Sequence, residues 1–313
     1  MSRVAVLKGG RSLEREVSLR SGTNVEAALR RLGHEVISVD ADQHLVRTLR
    51  EQRPDVAFVA MHGKGGEDGT VQELLEILGI PYTGSGVLAC QRSMDKVVSK
   101  AIFAQEGIPT PRWFAFSEDA FRELGAADTL PEIRERLGLP LVVKPAKQGS
   151  ALGISVAHEP GEIPRGLMTA LSFDDRVLLE AFVQGREIAV SVIGTDDPRA
   201  LPVVEARPKD GDFYDFEARY TPGATELIAP AEIDDDTAAE ASRLALACYE
   251  ALGCRGFGRV DMILDRDHRL WVLELNTIPG LTDTSLLPAA VEASGLSFDE
   301  MIAKVLGLAD LGG

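Results

Sequence analysis

Two apolar runs late in the chain, Gly256–Asp265 and Leu270–Asn276, do most to limit how it can fold. The turn Asp265-Arg-Asp-His between them predicts an antiparallel hairpin, and Trp271, Val272, Leu273 and Leu275 suit a buried strand. Polar groups interrupt both arms. Glu274 and Asn276 are two residues apart and therefore share one face of their strand; Arg259 and Asp261 stand in the same relation on the other arm. Charges set into an apolar strand are costly unless something pairs with them. Two carboxylates and an amide oxygen are hard donors that suit Mg²⁺, which takes one or two carboxylates together with phosphates and water. With the arginine added, the hairpin reads as a place for a metal and a triphosphate. A plainer account, a polar strand end hydrogen-bonded to a loop, fits the same residues.

Bulk properties narrow the partners. A chain of 313 residues has room for two or three domains. Its net charge of −16 argues against nucleic acid or an anionic membrane as partner. Any phosphate site must then be built locally from amides, a few cations and metal. Cys90, Cys248 and Cys254 have no C-x-x-C spacing and imply no disulfide framework. No leader or apolar run of spanning length is apparent, so the expectation is a cytoplasmic protein.

Val4–Leu7 predicts a buried strand running into Gly9-Gly10, followed by a helix to about Leu32 and a strand at 34–39. A helix near 43–51, a strand at 56–60 and a helix at 70–78 continue the alternation. This pattern predicts a parallel α/β domain with its functional loops at the carboxyl ends of the strands. Those ends carry Glu14 and His62 within glycine-rich stretches. Neither the dinucleotide nor the P-loop fingerprint occurs. Taken singly, Glu14 also fits a helix-start charge and His62 a hydrogen-bonded turn residue.

Ser93-Met-Asp-Lys96 predicts a helix start capped by Ser93. Residues 117–137 read as helical with a break near 126–129. Strands at 141–145 and 154–157 flank a glycine-containing loop, a flap whose amides would face phosphate oxygens, with Lys144 meeting phosphate charge. A surface hairpin with a solvated lysine remains the alternative. Strands at 176–182 and 187–193 bring Glu180, Phe182, Val183 and Glu187, an apolar slot with carboxylates suited to adenine and ribose. Glu187, Ala189 and Ser191 also fit the wet face of an ordinary strand. A strand at 200–207 leads into the polar, aromatic-anchored loop 208–223, which reads as a lid. Helices at 236–252, 286–294 and 298–307 complete the chain.

Eight motifs then fall in one order: Gly9–Leu19 (GG-x-S-x-E-x-EVSL), His62–Gly69 (HG-x-GGEDG), Gly84–Gly86, Met94–Lys96, Val143–Ala146, Phe213–Tyr220 (FYDFEA-x-Y), Gly258–Asp261 and Leu273–Thr282 (LELNT-x-PG-x-T). Together they resemble the D-alanine–D-alanine ligase family of ATP-grasp enzymes over nearly the whole chain. The resemblance implies an α/β protein, α+β overall, in which a Rossmann-like parallel domain precedes a two-subdomain ATP-grasp. Boundaries are expected at 1–92, 93–183 and 184–313. It implies ATP-dependent joining of two D-alanines through a D-alanyl phosphate, for peptidoglycan precursors, by a homodimer.

Residue by residue, the resemblance implies that Glu14 holds the first ammonium within a trio with Ser150 and Tyr220, and that His62 lies beside that substrate. Lys96, Lys144 and Arg219 would meet ATP phosphates, and Glu180, Phe182, Val183 and Glu187 would line adenine and ribose. Asp261, Glu274 and Asn276 would bind two Mg²⁺ ions, with Mn²⁺ as an alternative ion. Arg259 and the Gly280 amide would stabilise the oxyanion, and Ser285 with the Leu286 amide would hold the second carboxylate. The chain departs from the family pattern at Arg219, where lysine is usual, at Ala151, where a second serine is common, and at Gln148, where an acid is common. Tyr220 favours a dipeptide over a depsipeptide product. The alternatives are a ligase for another amino-acid pair and a catalytically silent nucleotide-binding protein.

Overall fold

A computed structural model describes residues 1–209, 221 and 223–311, and the statements below concern those residues. Three sheets organise the molecule. The first is parallel: β1 (Arg3–Lys8) lies between β2 (Glu35–Asp40) and β3 (Val56–Val59). Helix Arg15–Arg31 makes the first crossover and helix Leu45–Gln52 the second. β1 is buried along Val4–Leu7, as a central parallel strand covered on both faces must be. The chain leaves it through Gly9 and Gly10 at φ of +78° and +81°, a left-handed turn open to glycine.

The second sheet, in the order β4-β7-β5-β6, is antiparallel and consists of Trp113–Ser117 (β4), Leu141–Pro145 (β5), Ser155–Ala157 (β6) and Arg176–Ala181 (β7). The third holds Gly185–Ile193 (β8), Arg199–Ala200 (β9), Val204–Pro208 (β10), Thr225–Ile228 (β11), Phe257–Asp265 (β12) and Leu270–Asn276 (β13). Its order is β11-β10-β8-β12-β13, with β9 on β8. β8 and β12 pair over nine positions, from Phe257 opposite Ile193 to Asp265 opposite Gly185. The β12–β13 hairpin forms as its apolar runs predict, with a register shift after Asp261.

Three larger cores, with a small fourth at Val97, Ala146 and Leu178, hold these layers. Helix Asp235–Leu252 packs Leu244, Cys248 and Leu252 against Val190, Val260 and Val272 of the third sheet. Ile133 and Leu167 cover Leu141, Val143 and Leu179 of the second. The N-terminal core is completed by the chain's far end: Leu287, Ala290, Met301 and Ile302 join Val4–Leu7, Leu29 and Phe58. Each such leucine or isoleucine contributes about 1.5–3 kcal/mol by leaving water.

Some local expectations change. The helix Lys96–Gln105 is capped by Asp95, whose carboxylate accepts from the Val97 and Val98 amides. Ser93 instead lies buried in the preceding helix, Val87–Met94, so the shorter side chain is not the cap. The strand expected at 200–207 is split into β9 and β10: 201–203 lie outside both strands, with the Leu201 amide still bonded to the Ser191 carbonyl at 2.8 Å and the Val203 carbonyl accepting from the Ala231 amide at 2.7 Å. Strands β4 and β11 and helix Ile163–Leu171 were not foreseen. That helix has proline in its first turn and buries Ile163, Leu167 and Ala170 on one face.

Candidate active site

Two adjoining hollows meet at the β12–β13 hairpin. The larger is a cleft of about 510 Å³ between the second and third sheets, within the usual range for a small-ligand site. Val142, Lys144 and Glu180 form one wall, Ile263, Leu273 and Glu274 the other, and Phe182, Val183 and Glu187 lie along its edge. Antiparallel pairing sets Lys144 and Glu180 on neighbouring strands, and Lys144 Nζ donates to Glu180 Oε1 at 2.7 Å. A second lysine, fully buried Lys100, ion-pairs with the other Glu180 oxygen. Its Nζ also donates to Thr110 Oγ1 at 2.5 Å, and that hydroxyl donates to the Val272 carbonyl at 2.8 Å. Burial lowers the Lys100 pKa to about 8, although Glu180 pulls the other way. Burial works to raise the Glu180 pKa, but the two lysines outweigh it and hold the carboxyl below its ordinary value.

The flap between β5 and β6 is joined to the hairpin through Lys96. Its Nζ donates to the Gln148 carbonyl at 2.6 Å and lies 3.0 Å from Glu274 Oε2. Across the hairpin, Asp261 is the register partner of Glu274, and Arg259 that of Asn276. Arg259 holds Asp261 through two bonds of 2.6 and 2.8 Å, and Asn276 Nδ2 donates to Asp261 at 3.1 Å. The expected convergence of Asp261, Glu274, Asn276 and Arg259 is therefore present. Among the described residues no three or more His, Cys, Asp or Glu groups gather as a metal cage. Two carboxylates and an amide still fit Mg²⁺, which draws its remaining ligands from phosphate and water. That protein cations now lie against both carboxylates is the mark of a site that attracts positive charge.

The smaller hollow lies beyond the hairpin and collects residues far apart in sequence. Glu14, His62, Glu67, Ser150, Arg259, Asn276, Gly280, Ser285 and Leu286 all line it. Ser150 Oγ donates to Glu14 Oε1, which joins the first glycine-rich loop to the flap. Gly149 leaves room for that contact, since a Cβ there would lie 2.8 Å from Glu14 Oε2. Ser150 itself sits at φ +52°, a left-handed conformation that a serine adopts at a cost. His62 is buried, with Nε2 2.9 Å from Ser21 Oγ and Nδ1 3.0 Å from the Ile278 carbonyl. Burial lowers its pKa to about 4, so the ring is neutral near pH 7. Ser285 lies at the start of helix Leu286–Ala293, 2.8 Å from Thr282 Oγ1, and Gly280 lets the chain pass close to it. Helix starts offer free amides to an anion, and here the Leu286 amide is one of them.

Arg219, Tyr220 and most of the 208–223 lid lie outside the described residues. Sequence reasoning also passed over two groups. Lys100 follows Lys96 by one helical turn, a spacing that puts both on one face. Glu67 stood inside the His62–Gly69 motif without being assigned a part. It is buried, and its pKa is pushed up to about 8 by burial and by the nearby Glu14 charge.

Comparison with known proteins gives a consistent result. Residues 42–85 match the family model described as D-ala D-ala ligase N-terminus, and 102–307 match D-ala D-ala ligase C-terminus. The D-alanine–D-alanine ligase of Carboxydothermus hydrogenoformans is 45% identical, over 98% of this chain and 97% of that protein. That of Syntrophotalea carbinolica is 46% identical, over 99% and 96%. Among solved structures, a Bacillus anthracis D-alanine–D-alanine ligase complexed with ATP superposes with a TM-score of 0.82 at 32% identity, covering 98% of this chain and 97% of that one. The VanG D-Ala:D-Ser ligase of Enterococcus faecalis gives 0.83 at 29% identity, covering 97% and 98%.

Proposed function

This chain belongs to the D-alanine–D-alanine ligase family, and on that premise we propose that it joins two D-alanines at the expense of ATP, supplying a dipeptide for peptidoglycan precursors. The observation that carries the reading is the pair of hollows at one hairpin, Glu274 lining the larger and Asn276, bonded to Asp261, lining the smaller. Nucleotide occupies the inter-sheet cleft, its base near Glu180, Phe182 and Val183 and its ribose near Glu187. Lys96 and Lys144 face its phosphates, and the resemblance gives Arg219 the same part. Asp261, Glu274 and Asn276 would hold Mg²⁺, which would supply neutralisation of phosphate charge.

The first D-alanine sits with its ammonium on Glu14, steadied by Ser150, a part that the resemblance extends to Tyr220, and beside neutral His62. Its carboxylate oxygen attacks the γ-phosphorus and ADP leaves, so a poor electrophile becomes an acyl phosphate. Such a transfer depends on alignment and charge neutralisation rather than on a protein nucleophile. The second D-alanine, its carboxylate held by Ser285 and the Leu286 amide, enters as a neutral amine. Its nitrogen attacks the acyl carbon, negative charge gathers on oxygen near Arg259 and the Gly280 amide, and phosphate departs. Water would destroy the intermediate, which gives the 208–223 loop its part as a lid. Family membership also supports a homodimer.

The test is phosphate release from Mg-ATP with and without D-alanine, together with the mass of the product. D-alanine-dependent release yielding one dipeptide per phosphate is expected. Release that responds only to a different amino-acid pair would overturn the assignment, and a D-serine arm separates the mixed dipeptide.

A further inference from the structure

Glu67 is buried in the wall of the substrate hollow, and no step above uses it. Its own amide donates to the Gly63 carbonyl at 2.9 Å, while its Oε2 accepts from the Gly63 amide at 2.7 Å. The side chain thus closes the His62–Gly69 loop on itself. Beyond the loop, the Ile278 amide faces the same carboxylate and favours its charged form. Ile278 is held a second time, because its carbonyl meets His62 Nδ1 at 3.0 Å. The glycine-rich loop therefore holds the Ile278 carbonyl through His62, and Glu67 lines the same hollow beside Ile278. Ile278 is two residues before Gly280 and lies in the turn that delivers Gly280 and Ser285 to the hollow. Further along the turn, Leu281 N bonds Ser21 Oγ at 3.2 Å, Asn24 Nδ2 donates to the Leu281 carbonyl at 3.0 Å and Thr282 N bonds Ser285 Oγ at 3.1 Å, while the Ile278 and Leu281 side chains are buried in the N-terminal core.

We propose that Glu67 is a positioning residue that fixes the 278–280 turn, and with it the Gly280 amide and the seat of the second amino acid. The inference rests on the ligase reading of the same hollow. Glu67 touches no reacting atom; it acts through the Ile278 backbone. Loosening the turn would leave nucleotide binding in the larger cleft and phosphoryl transfer to the first D-alanine on Glu14 in place, and impair capture of the activated acyl group by the second amino acid. Water would then take a share of the acyl phosphate, so more than one phosphate would appear per dipeptide.

The experiment measures phosphate and dipeptide together in the full-length wild type, Glu67→Gln and Glu67→Ala. Misplacement of about 1 Å can cost on the order of 100-fold in rate. Glu67→Ala is expected to lose about that much in dipeptide formation, with ATP KM within about twofold of wild type and a phosphate-to-dipeptide ratio above one. Glu67→Gln keeps an oxygen for the Gly63 amide but turns an N–H toward Ile278, and is expected in between; it carries the test if the alanine variant fails to fold. A merely structural role would lower the active fraction and leave the ratio at one, and that result would overturn the proposal. A wild type that makes no dipeptide would instead sink the ligase reading, whatever the variants do.

Discussion

Burial removes the water that would solvate a charged imidazole, and at His62 that cost exceeds the help from the Ile278 carbonyl. The consequence is a stability that depends on pH with a definite sign. The folded-state pKa, about 4, lies below the ordinary value of 6.5. The contribution is therefore fully present above about pH 6.5 and is lost as pH falls through about 4. A shift of that size corresponds to roughly 3 kcal/mol. His62→Gln keeps hydrogen-bonding groups without the titration, so its urea-unfolding free energy should fall less steeply than that of wild type between pH 6.5 and 4. Parallel curves would mean that His62 is not held neutral. At this scale the motifs pointed to Glu14, His62 and Ser285, and the structure brings all three to one hollow. Lys100 was not, because its meaning lies in Glu180, 80 residues away, and a lysine in an amphipathic helix ordinarily reaches solvent.

The flap between β5 and β6 was readable as an element because glycine and lysine punctuate two short apolar runs. What it packs against was not readable, since its partner Glu14 comes from the loop between β1 and the helix Arg15–Arg31. Gly149 is the point of contact. An alanine methyl there would press on Glu14 Oε2 at 2.8 Å and Oε1 at 3.3 Å, and Glu14 is already fixed by Ser150. Gly149→Ala should therefore raise the D-alanine KM by about tenfold, equivalent to ~1.4 kcal/mol, while ATP KM stays near wild type. Steady-state kinetics in both substrates decide it; an unaltered D-alanine KM would show that Glu14 yields without cost. Strand β4 was missed for a related reason. Trp113–Ser117 is short and half-buried, abuts a helix without a break, and becomes a strand only by pairing with β7. Tertiary partners decide such segments more than their own propensity does.

On the scale of the whole molecule, alternation of strands and helices announced the parallel sheet, but nothing local announced that Leu287, Met301 and Ile302 return to complete its core. That return places the turn carrying Gly280 and Ser285 against the loops of β1 and β3, so the substrate hollow exists only when the two ends of the chain are joined. Charge is the other global property. The chain carries −16 before any nucleotide arrives, and the cleft opposes Glu274 and Glu187 to Lys96 and Lys144, the latter already sharing Glu180. ATP alone would bring more negative charge beside Glu274 and Asp261, whereas a divalent ion between phosphate and carboxylate turns repulsion into attraction. Mg-ATP should therefore raise the melting temperature more than the same ATP with a chelator. At about 100 times its Kd a ligand of the native state adds roughly 2.7 kcal/mol, enough for a shift of several degrees. Glu274→Gln should keep the small shift with ATP and chelator but lose the increment that metal adds to wild type. Equal shifts of wild type with and without metal would show that these carboxylates do not recruit the ion.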